Sequence, residues 1–564
     1  MKFDNYEYKR PDVEETKTKL ENYKKLLSQA NNYNEFIKVF KEYNKFLEKI
    51  ATQSTLVSIR NSLDTTDKFY EDEQEFWNEF SPEITAYESN ISKIIYNSQF
   101  KEELKNEIGE HYFNLIECDL KIFKDEILED LKEENKLQTE YVKLTSSAKI
   151  SFDGQEHNLS GMAKYTQADD REIRTKANNV STKFFEDNLE KYDDIYDRMI
   201  KVRTRIAKKL GFENFVDLAY LRLRRTDYTS KEAAGYRKQI LENVVPLVEK
   251  IKKDQVARLG LDKLNFQDEA IMFKTGNPKP KGDREFLVNN AITMYRELSE
   301  ETAEFFDFMV DKNLLDLDTK EGKAGGGYCT YIPDYRSPFI FANFNGTPHD
   351  VEVLTHEAGH AFQVFRSRDV KVPSYIWPTY EACENHSMSM EFLTWSWMDL
   401  FFEEDTEKFK YYHIASSLKF LPYGVTVDEF QHFVYENPKL SPKERRDKWL
   451  EIEKKYLPSR SYEDVPSLNN GMFFYRQAHL FTSPFYYIDY TLAQVCAFQF
   501  WKKANQDTKV AWKEYLHLCD LGGTKPFLEL VKEANLENPF VDGTISNITP
   551  ELEKYLNSVD TSKF

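Results

Sequence analysis

The sequence predicts a mostly α-helical protein with one small β region, and three observations support this fold class. Glycine and proline are scarce, with 19 of each in 564 residues, and strong helix formers occur throughout. No Ser/Gly-rich linker, low-complexity block or internal repeat interrupts the chain, which favours closely packed domains over separated ones. Aromatic residues make up 15% of the chain, enough to build a large core.

The N-terminal part carries a helical pattern. Residues 12–135 contain long runs in which apolar residues recur at helical spacing among charged ones, as in Leu20–Ala30 and Phe36–Ile50. Turn signals separate these runs. The pattern predicts helices arranged as hairpins, and it contains no motif that indicates a function.

A β-hairpin is predicted within Tyr141–Ser160. Ile150 and Phe152 alternate with polar residues there, and Asp153-Gly154 lies between two short runs, which is typical of a tight hairpin turn. Residues 168–320 return to a helical pattern, with residues 267–283 as an irregular interruption.

Two short strands are predicted after the glycines Gly325–Gly327. The stretches Tyr328–Ile332 and Phe339–Phe344 are rich in aromatic and β-branched residues. One interpretation is an edge strand that pairs with the backbone of a bound peptide, with glycines that allow close approach. The other interpretation is a buried hairpin with a flexible joint. The residues leave both open.

Two histidines and a glutamate form the most informative stretch of the chain, His356-Glu-Ala-Gly-His360. In the helix predicted over 351–366, residues four apart share one face, so both imidazoles can reach one metal ion. Glu357 lies beside that ion and is suited to act as a base toward water. The alternative is a buried helix whose histidines are satisfied by hydrogen bonds. Burying these groups in such an apolar helix is costly without a partner, which favours a zinc ion.

A third protein ligand is expected, because catalytic zinc sites use three and leave one position open. The helix predicted over 379–397 offers four chemically possible ligands: Glu381, Cys383, Glu384 and His386. Glu384 is favoured over Glu381, because a ligand deeper in the helix is better held by its neighbours. Glu384, Ser387 and Glu391 share one face, and Trp395 is expected to continue it.

This arrangement resembles the M3 family of zinc oligopeptidases, which includes thimet oligopeptidase and the bacterial oligoendopeptidase F enzymes. The resemblance implies that Glu384 is the third ligand, beside His356 and His360. It also implies a mostly α peptidase whose helical lobes enclose a deep substrate channel. Further segments that carry the resemblance are Gly325–Thr330, Pro338–Thr347, His479, the tyrosines 486, 487 and 490, and Tyr141–Ser160.

The resemblance also implies residues that stabilise the oxyanion. In the family a histidine and tyrosines of a C-terminal helix face the zinc, and the matching positions are His479 and Tyr490. The family's two tyrosines are seven residues apart, whereas Ser483 precedes Tyr490 by seven. Tyr486 and Tyr487 remain as alternatives for the second tyrosine; Tyr490 is favoured first and His479 next.

These observations predict a zinc-dependent endopeptidase, with one Zn²⁺ per chain, that hydrolyses internal bonds of short unstructured peptides by metal-activated water. Residues 1–140 are assigned to an N-terminal helical region and residues 141–564 to the catalytic region. The alternative is a non-catalytic helical peptide-binding protein with a structural metal site. Glu357 argues against it, because structural zinc sites are closed by four protein ligands and need no neighbouring carboxylate.

Composition limits the possible binding partners and the expected cellular compartment. The net charge of −19 disfavours nucleic acid and anionic membrane surfaces as partners. The five cysteines are odd in number and widely spaced, which predicts reduced thiols and a cytoplasmic location. The N-terminus has no apolar core of a signal peptide, and no apolar run approaches the roughly 18 residues of a membrane span. The sequence does not indicate an oligomeric state.

Overall fold

Helices dominate the computed structural model, which describes residues 1–159, 161–320 and 322–564. The N-terminal part contains α1 (Val13–Gln29), α2 (Tyr33–Leu63), α3 (Lys68–Tyr96), α4 (Lys101–Ile108), α5 (His111–Lys121) and α6 (Leu128–Ser146). Side chains cap the starts of the long helices: Asp12 accepts from Glu15 N and Asn32 from Glu35 N. The predicted run of N-terminal helices is confirmed.

These first helices have a core of their own. Phe36, Phe40 and Trp77 are buried in a cluster that also takes in Val372 and Tyr375 from the C-terminal part of the chain. The N-terminal helices therefore pack against the rest of the molecule through apolar side chains. The predicted division between residues 140 and 141 falls inside α6 and stays a prediction.

The hairpin predicted over Tyr141–Ser160 is shorter than expected. Residues 141–146 belong to α6, because Tyr141 stacks on Phe481 with ring centroids 3.9 Å apart and its hydroxyl donates to a backbone carbonyl of the C-terminal part. The hairpin itself consists of β1 (Ile150–Phe152) and β2 (Gln155–His157). Asp153 and Gly154 both have positive φ, as a tight two-residue hairpin turn requires. Ser160 lies outside the described residues.

The middle of the chain is helical, as predicted. It contains α7 (Ala163–Thr166), α8 (Arg171–Asp187), α9 (Leu189–Leu210), α10 (Phe215–Arg222), α11 (Ser230–Gln239), α12 (Val245–Leu259), α13 (Arg284–Leu298) and α14 (Glu300–Asp311). Between α12 and α13 the described chain is irregular apart from a short 3₁₀ turn at Phe266–Asp268.

A three-stranded sheet follows, formed by β3 (Leu315–Asp318), β4 (Tyr328–Ile332) and β5 (Ser337–Phe344). The strand order is β3-β5-β4, with β5 parallel to β3 and antiparallel to β4. The central strand β5 is buried over residues 337–342. Strand β4 is therefore an edge strand, and both strands predicted here are confirmed.

The C-terminal part contains the two helices expected to hold the metal. Its helices are α15 (His349–Ser367), α16 (Tyr380–Leu393), α17 (Asp399–Phe402), α18 (Thr406–Glu436), α19 (Pro442–Tyr456), α20 (Ala478–Thr482), α21 (Tyr487–Gln506), α22 (Thr508–Leu521), α23 (Phe527–Glu533) and α24 (Thr544–Ser558). In the described part of the chain, no helix combines the length and apolarity needed to cross a membrane.

The helix predicted over 379–397 ends earlier than expected. The Thr394 hydroxyl bonds to the carbonyls of Met390 and Glu391, and Trp395–Trp397 form a 3₁₀ turn instead. Trp395 therefore lies beyond the end of α16. Its indole instead points at His413 of α18, to which Nε1 donates a hydrogen bond of 3.0 Å.

Helices α15 and α16 cross at very short range because of Gly359. A Cβ atom added at Gly359 would lie 2.7 Å from Ser387 Cα and 2.8 Å from the carbonyl oxygen of His386. Both contacts are with backbone, which cannot move aside as a flexible side chain could. The spacing of the metal-binding helices therefore depends on this glycine.

We expect Gly359→Ala to push α15 and α16 apart and to destabilise the protein by about 1–3 kcal/mol, as overpacking does. Thermal unfolding and metal content measure the effect. The control is Gly235→Ala, because Gly235 lies inside α11 and, apart from its chain neighbours and the nearby backbone of its own helix, no atom of the described residues lies within 4 Å of an added Cβ. There the substitution should leave stability unchanged or raise it by up to about 1 kcal/mol. Equal melting temperatures for the two variants would contradict the role given to Gly359.

Candidate active site

A cavity of about 870 Å³ lies between the N-terminal helices and the C-terminal part. One wall comes from α5 and from the turn after α10, including Asp119 and Arg224. The opposite wall comes from β4, α15, α16 and α21. The residues that contribute from those four elements, and from the residue just before α21, include Tyr328–Thr330, His356, Glu357, His360, Glu384, Tyr486 and Tyr490. Most of the site residues predicted from the sequence thus meet in one cavity.

Three of these side chains direct atoms that can bind a metal toward one point in the cavity. His356 Nε2 lies 3.1 Å from Glu384 Oε2, and His360 Nε2 lies 3.5 Å from the same oxygen. The three donor atoms all lie within 4.8 Å of one another. Zinc bonds of about 2.0–2.1 Å at tetrahedral angles separate two ligand atoms by roughly 3.3 Å. His356, His360 and Glu384 therefore fit a single ion of this size.

The other possible ligands of α16 lie elsewhere. Glu381 is buried near Arg225, and burial raises its pKa to about 7. The Cys383 thiol donates to the carbonyl of Pro378, and His386 Nδ1 is 2.6 Å from the carbonyl oxygen of Ala382. Of the four possible ligands of α16, Glu384 alone reaches the Nε2 atoms of both His356 and His360. Although burial would raise the pKa of Glu384, His360 and His356 lower it overall, so the carboxylate is anionic.

His356 is oriented by a chain of hydrogen bonds that runs away from the cavity. Its Nδ1 lies 2.7 Å from Glu391 Oε1, and Glu391 Oε2 lies 2.7 Å from His413 Nε2. Because Trp395 donates to His413 Nδ1, His413 carries its proton on Nε2 and donates to Glu391. His356 then donates through Nδ1 and leaves its Nε2 lone pair free for a metal. Sequence spacing could not identify His413, because His413 lies on α18 and no pattern in the sequence shows that α18 packs beside α16.

Glu357 lies beside the donor set and not in it. Its side chain is buried, and Oε2 has no hydrogen-bond partner among the described residues. Burial raises the pKa of Glu357, although His356 and His360 oppose the shift. A buried carboxylate oxygen without a partner is costly unless a mobile group such as water pairs with it. This carboxylate is therefore available to exchange a proton in the cavity.

Tyr486, Tyr487 and Tyr490 occupy different environments. Tyr486 donates a hydrogen bond of 2.5 Å to Glu384 Oε1, the oxygen that faces away from the histidines. Tyr490 also lines the cavity. The ring of Tyr487 is not among the cavity-lining groups of the described residues; it packs against Phe420, Tyr423 and His479, with centroids 5.7, 5.8 and 5.0 Å away. The structure thus brings Tyr486 and Tyr490 to the cavity and places Tyr487 behind them.

His479 lies behind Tyr490. Its Nε2 is 3.4 Å from the Tyr490 hydroxyl, and Gln477 Nε2 donates to its Nδ1 at 2.8 Å. The Gln477 amide is oriented in turn by Tyr423, which donates to its oxygen. Since Nδ1 accepts, the neutral ring carries its proton on Nε2, and burial lowers the pKa of His479 and favours that neutral form.

A helical fold with two imidazoles and a carboxylate around one point, and a second carboxylate beside them, defines a metallopeptidase. Residues 3–123 match the Peptidase M3 N-terminal domain, and residues 164–549 match Peptidase family M3. The chain belongs to peptidase family M3. No curated protein sequence matches the chain.

Solved structures agree with this assignment over the whole chain. PZ peptidase A, solved with an inhibitor, is 48% identical, with a TM-score of 0.97 over 99% of this chain and 100% of that one. A protein assigned as an oligoendopeptidase F from Bacillus anthracis strain Ames is 50% identical, with a TM-score of 0.93 over 100% and 99% of the two chains. The resemblance to the oligoendopeptidase F branch is confirmed, and with it the prediction of a metallopeptidase that acts as an endopeptidase.

We expect Glu384→Gln to lose most of its zinc and Glu381→Gln to keep it, because only Glu384 reaches the two histidines. The substitutions are matched in size and lie one turn apart on α16. Metal content of both purified variants after dialysis measures the difference. Equal retention, or a greater loss from the Glu381 variant, would show that the ligand is wrongly assigned.

Proposed function

We propose that the chain hydrolyses internal bonds of short, unstructured peptides, using one zinc ion held by His356, His360 and Glu384. The observation that carries the proposal is the buried carboxylate of Glu357 in the same cavity as the three donors, with no hydrogen-bond partner for Oε2 in the described part of the chain. A non-catalytic metal site would need a fourth protein ligand. Among the described residues, the cluster of metal-binding side chains contains three.

Glu357 is proposed as the base of this reaction. Zinc, when bound, supplies a Lewis acid that makes water more acidic and polarises the peptide carbonyl. Glu357 accepts a proton from the attacking water as the new C–O bond forms, and delivers it to the nitrogen as the C–N bond breaks. Its raised pKa suits both steps, because a stronger base accepts the first proton more readily and still releases it to an amine.

Tyr490 and His479 are proposed to stabilise the oxyanion. Burial raises the pKa of Tyr490, so its hydroxyl stays protonated and can donate a hydrogen bond into the cavity. His479 is proposed to act through Tyr490, because its Nε2–H can donate to the Tyr490 oxygen and so strengthen the Tyr490 hydroxyl as a donor. Tyr486 donates to Glu384 in this structure, so its first role is to hold the carboxylate that faces the histidines.

The size and walls of the cavity support a peptide substrate. A volume of about 870 Å³ is within the range of ligand pockets and too small for a folded domain. The edge strand β4 runs along this cavity, and its residues Tyr328–Thr330 line it. An extended peptide can add to such an edge through backbone hydrogen bonds, which would bind many sequences alike.

A cytoplasmic location is also proposed. All five cysteines are free thiols, and four of them are buried. Proteins of reducing compartments use cysteine in this way, whereas secreted proteins commonly pair it.

The proposed function is tested by incubating the zinc-loaded protein with short synthetic peptides of mixed sequence. Mass spectrometry should detect pairs of products from internal cleavage. Intact peptides, or the stepwise loss of single terminal residues, would contradict an endopeptidase.

We expect Glu357→Gln to keep zinc but to lower kcat at least about 100-fold, because an amide cannot accept the proton. Zinc content and peptide cleavage are measured on the same sample. Near-normal cleavage with metal bound would exclude Glu357 as the base.

We expect Tyr490→Phe to lower kcat about 10²–10³-fold, as loss of one oxyanion donor does, with little change in KM or zinc content. The control is Tyr487→Phe on the same helix, whose ring packs behind the cavity and should leave kcat nearly unchanged. Tyr486→Phe is measured in parallel. If Tyr487→Phe abolished turnover and Tyr490→Phe did not, the oxyanion donor would be wrongly assigned.

A further inference from the structure

The segment that carries the cavity tyrosines starts with an unfavourable backbone conformation. Phe485, immediately before Tyr486, has a φ of 68°, in the left-handed region that strains any residue with a Cβ atom. Its ring is fully buried and packs against His432 and Tyr435, with centroids 5.0 and 5.7 Å away. The apolar ring anchors the position in the core and explains why a glycine does not occupy it.

Two buried side chains satisfy the backbone of this strained residue. Gln431 Oε1 accepts from Phe485 N at 2.6 Å, and Arg225 Nη2 donates to the Phe485 carbonyl at 2.7 Å. These are groups that a regular helix would have paired within itself. The left-handed turn is thus held from both sides by side chains of α18 and of the turn after α10.

Arg225 also bridges this turn to the first turn of α21. The same Nη2 donates to Asp489 Oδ1 at 2.5 Å, so one guanidinium group links residues 485 and 489. Tyr486 follows the first of these residues, and Tyr490 follows the second. The hydroxyl of Tyr486 reaches Glu384, and that of Tyr490 lines the cavity.

Arg225 itself is held rigidly. Its backbone N–H donates to the carbonyl of Tyr220, closing the turn that ends α10, and its guanidinium lies over the Tyr220 ring, 4.5 Å from the centroid. The preceding residue, Arg224, has a φ of 55° and forms a double hydrogen bond with Asp119 of α5. A rigid guanidinium can fix a neighbouring turn, whereas a mobile one cannot.

The ion pair between Arg225 and Asp489 is poorly suited to a purely stabilising role. Neither Arg225 nor Asp489 exposes any side-chain surface. Among the described residues, Arg225 Nε and Nη1 and Asp489 Oδ2 have no hydrogen-bond partner. Burying charges that are only partly paired is costly, and apolar residues of similar size often stabilise a fold better. The pair is better explained by the geometry that it imposes.

We propose that Arg225 is a positioning residue for the cavity tyrosines. By holding the left-handed turn at Phe485 and the first turn of α21 together, it directs Tyr486 at Glu384 and Tyr490 into the cavity. This inference rests on the proposed function, because it gives Arg225 a role in the same reaction without contact with the substrate.

The test is a pair of conservative variants, Arg225→Lys and Asp489→Asn. Lysine keeps the charge but replaces the planar group that packs on Tyr220 by an ammonium on a flexible chain, which does not hold both acceptors in fixed positions. Asparagine keeps the size of aspartate. We expect each variant to lower kcat at least about tenfold, with KM changed less than about threefold and zinc content retained. Thermal unfolding is measured on the same samples.

Double mutants separate positioning from stability. If Arg225 acts through the tyrosines, adding Arg225→Lys to Tyr486→Phe or Tyr490→Phe should lower kcat less than about threefold in at least one background. Full additivity in both backgrounds would overturn the proposal. If Arg225→Lys does not fold, the same cycles with Asp489→Asn decide.

Arg445→Lys is the matched control. Arg445 is also buried, and it likewise bridges an aspartate and a backbone carbonyl, with 2.8 Å to Asp197 and 3.3 Å to Pro438. It does not line the cavity. We expect this variant to lower the melting temperature without changing kcat. A similar loss of kcat in both lysine variants would overturn the positioning role.

The outcome also separates this inference from the proposed function. A wild-type protein that cleaves no peptide contradicts the proposed function. A wild-type protein that cleaves peptides, with additive double mutants, contradicts only the role of Arg225.

Discussion

The close crossing of α15 and α16 is the constraint on which the rest of the site depends. His356 and His360 lie on one helix and Glu384 on the other, so their donor atoms meet only if the helix axes approach closely. Gly359 permits this approach, because its missing Cβ leaves room for the backbone at Ser387. The spacing of 3.1–3.5 Å between the imidazole nitrogens and the carboxylate oxygen follows from that contact.

The crossing brings together charges that would be unfavourable in isolation. Glu384 is buried, yet one of its oxygens faces two imidazoles and the other accepts from Tyr486. Glu391 likewise serves His356 on one side and His413 on the other. Glu391 therefore receives a donor at each oxygen, whereas Glu384 receives one at Oε1 and directs Oε2 toward the proposed metal position. These contacts also fix the side-chain orientations. Among the described residues, Glu357 Oε2 has no such donor, and this difference separates the proposed base from the carboxylates that hold other groups in place.

The donors on the other side of the cavity are neutral. Burial keeps the tyrosine hydroxyls protonated and His479 uncharged, so they can donate hydrogen bonds without adding positive charge beside a metal. The proposed positions of Tyr486 and Tyr490 depend on a strained turn at Phe485 that the local sequence would not favour. Such strain persists only where surrounding contacts determine it, here through Gln431 and Arg225.

The sequence by itself determined the helical class, the strand at Tyr328–Ile332 and the candidate ligands His356 and His360, because these depend on local composition and on spacing within single elements. It favoured Glu384 as the third ligand, which the resemblance to family M3 also implied, but it left open whether β4 is an edge strand. It could not separate Tyr486 from Tyr487, since adjacent residues differ only in which side of α21 meets the cavity. The helix predicted from the sequence extended beyond the end of α16 to include Trp395. His413 and Arg225 were not predicted as site residues, because they lie on other elements. Those features depend on contacts between segments far apart in the chain, and only the tertiary structure decides which of these segments meet.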